Sequence, residues 1–144
     1  MRKILIALLM VSAPATAQVR LPGGRPPPAP VLTGIDALRV EFGTQSGGTA
    51  VYFGANNSQL GAPAVAVLQA QAAWLRRHPE VVVRIEGHGD ASDTRDHALA
   101  VGARRAQEVR NYLVLLGVPA AQLSATSFGK ERPGAGRAVT VLVR

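Results

Sequence analysis

The sequence predicts an α/β sandwich ordered β-α-β-α-β-β, with two helices packed on one face of a mixed sheet. Three observations carry that prediction. Apolar residues recur at helical spacing in two stretches: Val65, Leu68, Ala72 and Leu75, and later Gly102, Ala106, Val109, Leu113 and Leu116. Between them "VVVRIEG" reads as a buried strand, and "QLSATSFG" and "RAVTVLV" supply two more strands at the end of the chain. Strands interleaved with helices place those helices against a sheet.

The chain opens with Met1-Arg2-Lys3, a short apolar run from Ile4 to Val11, and the small-x-small pattern Ala15-Thr16-Ala17. That is a secretory signal peptide, residues 1–17, with cleavage expected before Gln18. The apolar run is far shorter than the roughly 20 residues a spanning helix needs. Residues 18–33 hold five prolines between Pro22 and Pro30. Proline fixes φ and lacks a donor, so this segment is expected to be an extended linker outside the core.

The domain is expected over residues 34–144, with its core at 49–144. In "TGIDALRVEFGTQSGG" two patterns compete. Leu38, Val40 and Phe42 alternate as in a strand, while Thr33 and Asp36 form a capping box ahead of Ile35, Leu38 and Phe42. The helix is the expected outcome. "TAVYF" follows a Gly47-Gly48 turn and reads as the first strand, and "GANNS" as a loop. A helix then runs from Ala62 to about Arg77, with Pro63 in its first turn and His78-Pro79 ending it. The second helix spans about Thr94 to Leu116 and stops at Gly117. Asp93 is the expected N-cap, with Thr94 its competitor.

Composition narrows the function. There is no cysteine, hence no disulfide, no thiolate nucleophile, no thiolate metal ligand and no site for a lipid anchor. Sixteen basic and nine acidic residues give +7; without Arg2 and Lys3 the balance is fourteen to nine, or +5. Such a balance suits anionic partners, or serves solubility alone. With export expected and few aromatics for base stacking, nucleic acid is not an expected partner.

The blocks "VYF", "AAWLRRHPEVVVRIEGHGD", "GARRAQEVRNYLVLLGV" and "SFGKERP" resemble the OmpA-like peptidoglycan-binding domain, most closely that of peptidoglycan-associated lipoprotein (Pal). The resemblance covers Thr49 to Arg144. It implies a non-enzymatic domain, without cofactor or metal, that holds the diaminopimelate residue of the cell-wall stem peptide. Asp90 in "GHGD" would take the ligand's ammonium and Arg105 in "ARRA" its carboxylate. Secondary contacts would come from Phe53, Gly54, Thr94 and Ala98. It also implies a periplasmic location at the cell wall or outer membrane, and Tol–Pal-type envelope proteins as further partners.

The residues themselves bear on that pair. At about 100° per residue, Arg105 lies roughly 45° from the centre of its helix's apolar face and Arg104 nearly opposite. Arg105 is therefore expected to be a half-buried border residue reaching into a cleft, and Arg104 a solvated charge. Arginine offers a fixed planar fork for a carboxylate. The other reading of the pair is a plain Asp90–Arg105 salt bridge joining strand to helix.

Two rival functions remain at this level. One is the same fold used as an interaction module of a Tol–Pal-like complex without cell-wall binding. The other is a metal-dependent hydrolase built on His88, Asp90, Asp93 and His97, although no zinc spacing is present. Relatives usually carry asparagine where this chain has Ala98, and Phe-Asp-x-Asp where it has Phe53-Gly54-Ala55-Asn56. "GKERPGAGRAVTV" also omits about ten residues that usually precede the last strand (loop length varies readily), and Arg137 matches the last arginine of the family's Asn-Arg-Arg motif.

Overall fold

The computed structural model describes Leu32 and residues 34–144; the expected signal peptide, most of the linker and Thr33 lie outside them. Its elements are α1 (Ile35–Gln45), β1 (Ala50–Tyr52), α2 (Ala62–Arg77), β2 (Val83–His88), α3 (Arg95–Leu115), β3 (Leu123–Gly129) and β4 (Arg137–Leu142). The predicted order is present, preceded by a third helix.

The sheet runs β1-β4-β2-β3. β4 is antiparallel to both β1 and β2, whereas β2 and β3 are parallel, with Ile85 opposite Ala125 on one side and Thr140 on the other. Parallel neighbours need a crossover, and α3 is that crossover. Alternation along β4 sends Ala138, Thr140 and Leu142 into the core and leaves Arg137, Val139 and Val141 half-buried. Leu68, Ala72, Trp74 and Leu75 of α2 and Ala106, Val109 and Leu113 of α3 cover Val83 and Ile85, all buried.

α1 settles the ambiguous segment as a helix. Phe42 is fully buried, with its ring edge-on to Trp74 at 5.1 Å, while Val40 is exposed. A strand would have put both on one face. Its N-cap is Gly34, at φ 60°, with no side-chain cap bond. β1 is short, and Thr140 N–H donates to Thr49 O just beyond it. Further along β4, Leu142 O accepts from Arg39 Nε (3.2 Å) and Nη2 (3.0 Å) of α1.

Two glycines set the seat of α3. A Cβ on Gly87 would collide with the backbone carbonyl of Gly102, and one on Gly102 would lie 2.9 Å from Gly87 O. Neither residue can carry a side chain without separating helix from strand. That close approach brings Arg105, less than one turn beyond Gly102, onto the C-terminal end of β2.

Candidate functional site

The site forms where β2 ends, at the mouth between the β1–α2 loop and the first turns of α3. Asp90 leaves the strand two residues after His88 and is followed by a turn in which Asp93 N–H donates to Asp90 O at 3.2 Å. Thr94 caps α3: its Oγ1 accepts from His97 N–H at 3.3 Å. The expectation for Asp93 is thereby corrected, because the helix begins one residue later than that cap requires. Thr94 is the residue with extended backbone just ahead of Arg95.

Arg105 is fully buried, which corrects the half-buried border reading. The helix pattern alone places it at the margin of the apolar face, but the loop from β1 folds over it. Its Nε donates to Asn57 O (2.8 Å), Nη2 to Gly54 O (2.9 Å), and Nη1 to both His88 O (2.8 Å) and Asp90 Oδ1 (3.0 Å). Four of the five guanidinium N–H groups are thus used inside the protein. The guanidinium carbon also lies 5.3 Å from the centre of the Phe53 ring. Arg105 fastens the β1–α2 loop to the end of β2, and Arg104 is exposed, as expected.

Asp90 keeps 17% of its side chain exposed. Its Oδ2 accepts from Asn56 N–H at 2.6 Å while Oδ1 faces Arg105. The Asn56 N–H, then Arg105, and more weakly His97 hold its carboxyl below the usual carboxylate range, against the opposing effect of burial. Asp90 is therefore a fixed, ionised carboxylate at the surface, with a cation sealed behind it.

The secondary positions divide. Gly54 is exposed and contributes a carbonyl to Arg105; Phe53 supplies the ring beneath it; Thr94 is an exposed cap. Ala98 is fully buried against Gly89, so its methyl presents no surface to a ligand and the expected contact is not available. His88 is buried and stacks on Phe128 at 6.1 Å, with Nδ1 unpartnered. Burial, then Arg137 and Arg132, push its pKa down against the pull of Glu86. His97 Nδ1 lies 3.9 Å from Asp93 Oδ2. Among the described residues no three His, Asp or Glu side chains converge as a metal site would require. The four residues of the hydrolase reading are not assembled into one.

Asn56 and Asn57 are the site residues that the sequence reading left in a plain loop. Their backbone groups carry the contacts, and a backbone contact leaves no mark on residue type. The available signal was Asn56 itself, at φ 47°, a conformation asparagine tolerates better than most residues.

A sequence profile of the OmpA family matches residues 52–141. The chain belongs to the OmpA family. Peptidoglycan-associated lipoprotein of Agrobacterium fabrum is 42% identical over 86 residues, 60% of this chain and 49% of that protein. The protein of the same name from Pseudomonas aeruginosa is 45% identical over 85 residues, 59% of this chain and 50% of that one. The chain thus spans about half the length of the curated relatives it matches. Peptidoglycan-associated lipoprotein of Burkholderia pseudomallei superposes with a TM-score of 0.64 at 35% identity, covering 67% of this chain and 92% of that one. The C-terminal domain of Helicobacter pylori MotB shares the fold of this OmpA-family domain, with a TM-score of 0.61 at 20% identity over 66% of this chain and 84% of that one. α1 lies outside the matched segment, while Asp90, Arg105 and the β1–α2 loop all lie within it.

Proposed function

We propose that this domain binds peptidoglycan non-covalently at the periplasmic face of the cell envelope, through the diaminopimelate centre of the stem peptide. The observation that supports this reading most is the ionised, partly exposed Asp90 carboxylate pinned by Asn56 N–H and Arg105. A fixed anion backed by a buried cation suits an ammonium set beside a carboxylate. The Asp90 oxygens take the ammonium. Arg105 orients Asp90 and offers the ligand's carboxylate the N–H on Nη2 that no protein group uses, reached when the exposed Gly54–Asn57 segment shifts outward. No step of bond making or breaking is assigned to these residues.

Binding of purified diaminopimelate-type sacculi by Asp90→Asn is the test. Loss of one charge-assisted contact, about 1.5–3 kcal/mol, should weaken binding ten-fold or more. Arg104→Ala should bind as the parent does. Equal effects of the two substitutions would remove Asp90 from the grip.

A second reading, an interaction module for Tol–Pal-type envelope proteins, draws on the seal over Arg105 and the buried Ala98. Wild-type protein that ignores sacculi yet pulls down an envelope protein would favour it.

A further inference from the structure

Beside Asp90 lies a cavity of about 340 Å³ walled by Ala91 and by the β3–β4 loop, including Lys130, Arg132 and Gly134. It is close to the lower end of the size range of ligand pockets. Its loop wall is held firmly. Gly136 N–H donates to Gly89 O (3.0 Å), Phe53 N–H to Gly136 O (2.8 Å) and Glu131 N–H to Phe128 O (2.8 Å). The Arg132 guanidinium stacks over Phe128 at 3.8 Å and lies 3.7 Å from Glu86 Oε2.

The charges around this cavity are unequal in their commitments. Arg132 is paired with Glu86, and Glu131 with Arg95 at 2.6 Å. Arg105 is paired with Asp90. Lys130 is exposed and has no carboxylate partner among the described residues. Its Nζ donates one bond, to Asp93 O at 2.5 Å, which holds the ammonium against the turn that follows Asp90. An ammonium has three donors, so two remain.

We infer that this cavity is a second subsite, in which Lys130 receives a free carboxylate of the same stem peptide whose ammonium Asp90 holds. The inference rests on the peptidoglycan reading and names the part of the ligand that reading leaves unassigned. The Asp90 mouth supplies an anion and a single spare N–H of a cation otherwise committed to the protein; the adjoining cavity supplies an unneutralised cation on a fixed wall. A peptide bearing an ammonium and more than one carboxylate matches both halves. Lys130 is then a specificity residue, distinguishing free from amidated stems.

The test is a cycle on the full chain. Calorimetry would measure binding of a disaccharide-tetrapeptide muropeptide with free stem carboxylates, and of its amidated counterpart, to wild type, Lys130→Gln and Lys130→Arg. Wild type should discriminate between the two ligands at least ten-fold more strongly than Lys130→Gln does, the effect of one charge-assisted contact. Lys130→Arg should keep most of that discrimination, and the Lys130 variants should unfold at the wild-type denaturant midpoint. Equal discrimination by wild type and Lys130→Gln, with both binding, would overturn the subsite and leave the Asp90 reading intact. Wild type that binds neither muropeptide would overturn the Asp90 reading and the subsite with it.

Discussion

Replacing Arg105 by methionine keeps the apolar stem and removes the guanidinium, isolating what that group does for the fold. Four acceptors lose their donor: the carbonyls of Gly54, Asn57 and His88, and Asp90 Oδ1. The carbonyl of buried His88 loses the Arg105 donor, costing about 1–3 kcal/mol. Asp90 loses a charge-assisted bond of about 1.5–3 kcal/mol, nearer the lower figure because water reaches its exposed edge. The Gly54 and Asn57 carbonyls lie in an exposed loop and regain water, so they add about 0.5 kcal/mol each. The total, about 3.5–5.5 kcal/mol, is a large fraction of the 5–15 kcal/mol typical of a domain. Urea unfolding should show it as a lower midpoint at unchanged slope. Arg104→Met, on the solvent side of the same helix, should stay within about 0.5 kcal/mol of wild type. A loss below about 1 kcal/mol in Arg105→Met would refute the clamp and show that the loop is held by other contacts.

Gly87→Ala should destabilise by about 3 kcal/mol or more, because its Cβ would run into the Gly102 carbonyl; an unchanged midpoint would contradict the seating of α3. Thr94→Ala should cost about 1 kcal/mol through the lost bond to His97 N–H, and Asp93→Ala clearly less; the reverse order in urea melts would restore Asp93 as the cap. Acid should weaken the fold in two stages. His88 has a depressed folded pKa, so the unfolded chain binds its proton more readily; stability is full above the ordinary imidazole value of about 6.5 and falls below it. Asp90, also depressed, adds a loss that starts only as pH drops below the ordinary carboxylate value of about 3.9. Midpoints at pH 7.5 and 5.5 should differ in wild type and converge in His88→Asn; an undiminished difference in the variant would assign the effect elsewhere.

What could be read from residues alone was what local periodicity encodes. α2, β2 and α3 follow from spacing and stop signals, and each appears within a few residues of its expected bounds. The α1 segment carries two patterns, with the helix the favoured one, because the contact that decides between them, Trp74 packing on Phe42, lies more than thirty residues along the chain. The site shows the same limit. Arg105 belongs to a helix whose angular pattern gives only what that helix presents, and the loop that buries it comes from β1. Asp90 could be placed at a strand end, but its partner Asn56 acts through a backbone N–H. Lys130 joins the neighbourhood through a backbone carbonyl of Asp93.

The contact between α1 and β4 has a consequence for how copies of this protein meet. β1 covers only half of its neighbour, so past Thr140 the outer flank of β4 would stand bare were it not for α1 and Arg39 on the Leu142 carbonyl. An uncovered strand flank is a template for pairing with the same strand of another molecule. A fragment trimmed to the shared family segment, without α1, would also strip Phe42 from Trp74 and leave a large indole open to water. Such a fragment should self-associate in light scattering at concentrations where residues 34–144 stay dispersed. α1 thus acts as a guard against sticking between copies.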